Sequence, residues 1–394
     1  MPVIKVKIDL NYVHPNTSFI YPLQSEDDTR ILDARVVLSK TLLSDIIRKH
    51  GHNVFYLKNV TEKTMPPHLI NEAAVQTRSI LEEITHTEKI SRASFNKAER
   101  VVENILRSLD FAEIKAINLL KDVKTFDDYL YQHLVNVGIL AALFARKIGT
   151  IPDDDVRHLT LGAYLIDIGI MRVDRQLIKK QGQYDITDIM KMKRHPQLGY
   201  EMLKNNVEIN PIVLQTILFH HERYNGKGYY GLPYENLPFP PKLVAICDTY
   251  DALTSKRPHR EPFTPSRTMK ILVNSIEVNF DYKLVHDFIY HLGPMLGLDE
   301  SIIAQNQFCE LSTSEFALVK EQGERNHLKP KVIVFCKFSR IGKRTEVSFL
   351  KHPIEIDLIY DTDRYITKIL TNEKQISIIK DRLSEKKLLT DFIR

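Results

Sequence analysis

Apolar and charged positions alternate with a period of two at the start of this chain. VIKVKIDL, from Val3, reads as a half-buried strand, and NVFYL, from Asn53, reads as a second. Between them TLLSDIIRKHG carries a helical pattern, with Ser39 placed to cap its start and Gly51 to end it. Thr64-Met65-Pro66-Pro67 marks a linker, because paired prolines break helix and sheet alike. Leu69 to Lys121 is rich in Glu, Lys, Ala, Ile and Leu and reads as a linker helix or a dimerising helical pair.

From Phe126 to about Asn306 helical periodicity dominates. DDYLYQHLVNVGILAALFARKIG predicts one helix, with His133, Val137, Leu140, Ala141 and Phe144 on one face. VRHLTLGAYLIDIGIM is apolar nearly all round, so it predicts a buried helix with Asp167 inside it. A buried carboxylate is costly unless it is paired or bound to a metal. In KRHPQLGYEML, Pro196 sets His195 at a helix start. Pro211 opens PIVLQTILF, which runs into His220, His221 and the glycine-rich loop HHERYNGKGYYG. Adjacent imidazoles offer two nitrogen donors to a metal. The glycines let the backbone come close to a ligand. PPKLVAICDTYDALTSKRPHR predicts a helix with Asp248 and Asp251 on one face, and Arg257 and Arg260 lie just beyond, where Pro258 ends it. Taken singly, each has a plain reading: a core histidine, a capping histidine, a solvated basic loop.

Strand patterns return near Phe308. CELSTSEFALVKE and PKVIVFCKF each read as a strand, RTEVSFL and IEIDLIY follow in the same style, and EKQISIIKDRLSEKKLLTDFI is an amphipathic helix. The chain is therefore expected to be mainly α. A small α+β N-terminal domain (1–65) and a helical linker region (66–122) precede an all-helical domain (123–306). A small α+β C-terminal extension (307–394) closes the chain.

Composition narrows the class. With 394 residues, 43% hydrophobic and 27% charged, the chain fits a soluble globular protein with room for about two or three domains. A net charge of +5 is small for this length. It gives DNA binding no footing and suits an anionic small ligand. Cys247, Cys309 and Cys336 are odd in number and far apart, which argues for a reducing compartment and against a disulfide framework or a zinc-thiolate site. MPVIKVKIDLN is too charged for a signal peptide, and no apolar run reaches the roughly 18 residues of a membrane span. The expected location is the cytoplasm.

His133, Asp167, His195, His220, His221 and Asp248, on successive helical segments, together resemble the HD-GYP family. This is a branch of the HD-domain metal-dependent phosphohydrolases. The resemblance covers about Phe126 to Gln305 and rests on DDYLYQHLVNV, HPQLGYEML, HHERYNGKGYYG and ICDTYDALTSKRPHR. It implies an all-helical domain, divalent metal (iron or manganese, one or two ions) and cyclic di-GMP or a related cyclic dinucleotide as ligand. His133, Asp167, His195, His220, His221 and Asp248 match the family's metal ligands, with Asp167 bridging and central to catalysis. Tyr229, Asp251, Arg257 and Arg260 match residues that hold the nucleotide. Tyr129 stands where some members carry a glutamate for a third metal, so a third metal is not expected. The resemblance leaves room for protein partners in signalling and for a homodimer.

The departures fall on the chemistry. The HD pair is Ile166-Asp167: its histidine is gone, and an isoleucine has no lone pair to offer. One metal site keeps His133, Asp167 and Asp248; the other keeps Asp167, His195 and His220, with His221 beside them. His158 is too far along the chain to fill the gap. Ile170 stands where the family has a lysine, Tyr230 replaces the proline of the GYP triplet, and Asn225 replaces an aspartate. Loss of even a supporting partner costs about 10–100-fold in metal affinity or activity. The residues matched to nucleotide binding remain. The expectation is a cyclic di-GMP signalling protein with impaired or absent hydrolysis, which binds a nucleotide or a partner. The alternative is an active cyclic di-GMP phosphodiesterase that yields the linear dinucleotide or GMP.

Overall fold

The computed structural model describes residues 3–10, 13, 19, 22–34, 36–59, 67–87, 89–110, 119, 126–178, 180, 183–205, 209–256, 260–298, 301–323, 326, 328–341 and 344–385. The chain divides into two compact units, Met1–Glu62 with Met269–Ile276 and Gly297–Arg394, and Lys63–Thr268 with Glu277–Leu296. The fold is mainly helical, with small antiparallel sheets towards both ends of the chain, as the periodicities predict.

In the first unit, strands β1 (Val3–Asp9), β2 (Leu23–Gln24), β3 (Arg30–Leu32) and β4 (Asn53–Asn59) form a sheet of order β1-β4-β2-β3. Helix α1 (Lys40–His50) lies between β3 and β4 in sequence. Ser39 caps α1 by accepting from the Leu42 amide, and Gly51 ends it at φ 79°. In β1, Lys5 and Lys7 are exposed while Ile8 is buried with Leu23, Ile46, Val54 and Tyr56.

The helical unit contains α2 (Pro67–Thr87), α3 (Arg92–Asp110), α4 (Phe126–Ile148), α5 (Asp153–Tyr164), α6 (Arg175–Ile178), α7 (Ile186–Met192), α8 (His195–Leu203), α9 (Pro211–Phe219) and α10 (Phe239–Thr254). After α11 (Pro265–Val273) comes α12 (Tyr282–Leu292), which belongs to the same unit. The α4 face carrying His133, Val137, Leu140, Ala141 and Phe144 is buried throughout. Helices α2 and α3 pack within this unit. The Thr77 hydroxyl of α2 bonds the Tyr164 hydroxyl of α5 at 2.5 Å, and Arg78 reaches Asp128 of α4 at 2.7 Å.

VRHLTLGAYLIDIGIM is not one helix. Helix α5 stops at Tyr164, and Ile168–Arg172 forms a short 3-10 turn whose N-cap is Asp167. The reason is steric. At Gly169 the backbone presses on the start of α8, and a Cβ there would overlap the His195 carbonyl oxygen and the Gly199 nitrogen. A tighter turn with a glycine allows that approach, and it puts Asp167 at the start of the turn rather than inside a helix.

The C-terminal sheet has order β8-β7-β6-β5-β9, from β5 (Phe308–Leu311), β6 (Glu315–Glu321), β7 (Lys331–Ile341), β8 (Arg344–Asp357) and β9 (Ile366–Ile369). Helix α13 (Glu373–Glu385) adds Leu383 to its core of Phe308, Phe316, Leu318, Ile333 and Phe335. CELSTSEFALVKE is a hairpin rather than one strand, turning at Ser314 with φ 60°. That turn has no glycine, proline or asparagine to announce it. RTEVSFL and the start of IEIDLIY are one strand, β8, despite Pro353. Strand β8 is at the sheet edge, where proline's missing amide donor is tolerated.

Gly169→Ala is expected to lower unfolding stability in urea by about 1–3 kcal/mol, the cost of overpacking. An unchanged midpoint and slope would show that the turn and α8 separate freely.

Candidate metal centre

The helical unit sends its polar side chains to one place because its helices end there. Asp167 leaves the break after α5. His195 opens α8, its ring fixed by Nδ1 donating to the Met192 carbonyl at 2.8 Å. His220 is the C-cap of α9, and its Nδ1 donates to the Ile217 carbonyl at 2.8 Å. Those carbonyls take the Nδ1 protons, so both Nε2 atoms face inward.

The inward atoms crowd together. His195 Nε2 lies 3.3 Å from His220 Nε2 and 3.2 Å from His221 Nε2. Asp167 Oδ1 is 3.0 Å from His195 Nε2 and 3.6 Å from His220 Nε2. One ligand atom from each of Asp167, His195, His220 and His221 falls within 4.8 Å of the others. Nitrogens and carboxylate oxygens facing at these distances need a proton or a cation among them. At metal–nitrogen distances of about 2.0–2.1 Å, neighbouring ligand nitrogens stand about 2.8–3.4 Å apart. The donor set and its spacing fit a divalent ion. Three imidazoles with one carboxylate suit iron, zinc or manganese better than calcium or magnesium.

Asp167 faces two ways. Its Oδ2 lies 3.6 Å from Nε2 of His133, and that nitrogen is 3.1 Å from Asp248 Oδ1. His133, Asp167 and Asp248 thus form a second, sparser group. Ile166 is fully buried beside it and contributes no donor. Tyr129 stacks on His133 at 5.4 Å between ring centroids. Asp251 departs from the expected role at the ligand. It has no exposed surface, and its carboxylate is engaged by His133, Asn136 and Ser255.

The HHERYNGKGYYG loop is tied down by Glu222, which is 2% exposed. Its carboxylate accepts from the Tyr230 and Leu232 amides, each at 2.8 Å, and Gly228 leaves it the room a Cβ would take. This fixes Tyr229 with its ring 4.3 Å from that of His221 and with Lys193 Nζ 5.0 Å from its centroid. Arg260 turns to the end of α10, donating to the Leu253 carbonyl at 3.1 Å and lying over the Phe263 ring. Arg257 lies outside the described residues. Sequence reasoning missed Glu222, Asn136 and Lys193. An acid directly after two histidines was the available signal for Glu222; nothing in the sequence marked the other two.

The charges respond to this crowding. Burial pushes the Asp167 carboxyl up, but His195, His220 and His133 outweigh it and hold it well below its ordinary value. Asp248 is likewise pushed up by burial and brought down to about 2 by His133 and His221. Burial lowers His195, and Asp167 with the Met192 carbonyl more than restores it. His133 is lowered by burial and then carried well above the ordinary imidazole value by Tyr129, Asp248 and Asp251. His221 is held well below it by burial and by His220. Burial raises the Tyr229 hydroxyl to about 12.

With this geometry in place, residues 116–284 match the model of the HD domain family. The relatives point to its HD-GYP branch, the one the sequence motifs resemble. A cyclic di-GMP phosphodiesterase of Pseudomonas aeruginosa is 30% identical over 252 residues, 64% of this chain and 57% of its own. The cyclic di-GMP phosphodiesterase response regulator RpfG of Xanthomonas campestris is 26% identical over 51% of this chain and 53% of its own. A 3'3'-cGAMP-specific phosphodiesterase of Vibrio cholerae is 23% identical over 51% of this chain and 39% of its own. The chain spans about half the length of the curated relatives it matches. Among the described residues, no helix is long and apolar enough to cross a membrane.

His220→Ala is expected to remove most of the metal retained on anaerobic purification, read by elemental analysis; undiminished metal would place the ion elsewhere. The raised His195 holds its proton above the ordinary imidazole range, so an incoming ion must displace it. Affinity for Mn²⁺ is therefore expected to climb as pH goes from 6 to 8, by up to about tenfold per unit for each proton displaced. Calorimetry giving a flat profile would mean that His195 is not a ligand.

Proposed function

We propose that this chain is an HD-GYP-type signalling protein that holds a divalent ion and binds a cyclic dinucleotide, with hydrolysis impaired or absent. The observation that carries this reading is the asymmetry of the centre. Asp167, His195, His220 and His221 form a four-residue donor set, while His133 and Asp248 have fewer companions and Ile166, which stands where the resembled family has a histidine, is buried and apolar. Iron or manganese in the four-residue set would supply a Lewis acid for a phosphate oxygen. Tyr229, fixed beside His221, offers a ring edge and a protonated hydroxyl to the ligand. Arg257 and Arg260, by their resemblance to the family's nucleotide-holding residues, add guanidinium forks suited to phosphate or a guanine edge.

Catalysis depends on contacts special to the transition state, so their loss spares binding. Buried, apolar Ile166 and Ile170 occupy the positions where the family carries its lost donors. The chain's own part is then to orient a phosphodiester beside Asp167 without completing the attack. The competing reading, an active phosphodiesterase, is favoured by the activities named for the Pseudomonas and Xanthomonas relatives. The Vibrio relative's different substrate widens the ligand class to cyclic dinucleotides.

One sample decides between them: anaerobically purified protein, assayed for metal, cyclic di-GMP binding and cyclic di-GMP turnover. The expected result is bound metal and saturable binding, with turnover at least about 10–100-fold below that of a family member with an intact HD pair. Turnover at the intact member's rate would establish the phosphodiesterase instead. Absence of binding to any cyclic dinucleotide would defeat both.

A further inference from the structure

Asp251 is fully buried, and its two carboxylate oxygens have separate tasks. Oδ2 lies 2.6 Å from His133 Nδ1. Oδ1 accepts from Asn136 Nδ2 at 2.8 Å and from the Ser255 hydroxyl at 3.1 Å. A carboxylate only accepts, so the proton between Asp251 and His133 belongs to Nδ1. The other ring nitrogen is thereby presented to Asp248 at 3.1 Å and to Asp167 at 3.6 Å. Asn136 follows His133 by one turn of α4, and Ser255 follows Asp251 by one turn at the end of α10. The carboxylate cannot rotate without breaking a bond to one or the other.

We infer that Asp251 is a positioning residue: it fixes the tautomer and direction of His133 so that Nε2 meets an ion shared by Asp167 and Asp248. This rests on the metal reading above, adds to its ion a second, weaker one on the His133 side, and is separate from nucleotide binding, for which Asp251 has no free surface. A carboxylate behind a ligating histidine sets its ring and strengthens it as a donor. The demand is greater here than in a centre with two imidazoles on this side, because Ile166 leaves His133 to supply the nitrogen alone. Misdirecting His133 removes that side's whole nitrogen donation.

Asp251 also joins α4 to α10, so the test must separate positioning from helix packing. The full chain is labelled with ¹⁵N-histidine, and the His133 signals are assigned with His133→Gln. Wild type is expected to show a protonated Nδ1 in the metal-free state and in the state loaded with diamagnetic Zn²⁺. Mn²⁺ titration is expected to show two steps. Asp251→Asn should weaken the second by about 10–100-fold and spare the first. Ser255→Ala, which removes one of the two Oδ1 partners and leaves Asn136, should weaken the second step less than Asp251→Asn does. His133→Gln should abolish the second step, and adding Asp251→Asn to it should change nothing more. The inference is overturned by an unprotonated Nδ1 in the wild type, by a single Mn²⁺ step there, or by a second step in Asp251→Asn equal to the wild type's. Failure of Asp251→Asn to fold leaves the wild-type nitrogen spectrum to decide. A chain that takes up no Mn²⁺ defeats the metal reading itself and is told apart from these outcomes by its missing first step.

Discussion

The Asp167 carboxylate is the charge around which the helical unit is arranged. Removing a carboxylate from water costs several kcal/mol unless partners repay it. Here the repayment comes from imidazoles on three helices: His133 on α4, His195 on α8 and His220 at the end of α9. Each of these rings is held from behind, by a main-chain carbonyl or by Asp251. The centre is therefore fixed by where helices begin and end. A proton on His195 and a metal ion are alternative answers to the same electrostatic problem.

The two sides of Asp167 differ in how they are built. On the side with three histidines, His195 and His220 are held by main-chain carbonyls at helix ends. The other relies on side chains, with Asp251, Asn136 and Ser255 supporting one imidazole. Loss of the HD histidine thus falls on the side with fewer donors. The side with the larger donor set, Asp167 with His195, His220 and His221, has no part supplied by Ile166.

Much of this was legible from residue order. The Ser39 and Gly51 caps, the α4 face with His133, the start of α8 at His195-Pro196 and the end of α9 at His220 all follow local rules, and the structure has them. What periodicity missed was tertiary. An apolar run around Asp167 gives no sign that Gly169 must touch the start of α8, so the helix break was invisible. Asp251 shares a helix face with Asp248, and the pattern treats them alike. Only the arrival of His133 and Asn136 from α4 distinguishes them. The β5–β6 turn was hidden because Ser314 takes a conformation usually left to glycine or asparagine.

Glu222 sets how the mouth of the centre can behave. With the Tyr230 and Leu232 amides bonded to one buried carboxylate, the loop bearing Tyr229 already has its shape. A ligand arriving there spends little of its binding free energy on ordering that segment. Discrimination between guests would then fall to the fixed outline of the loop rather than to its remoulding.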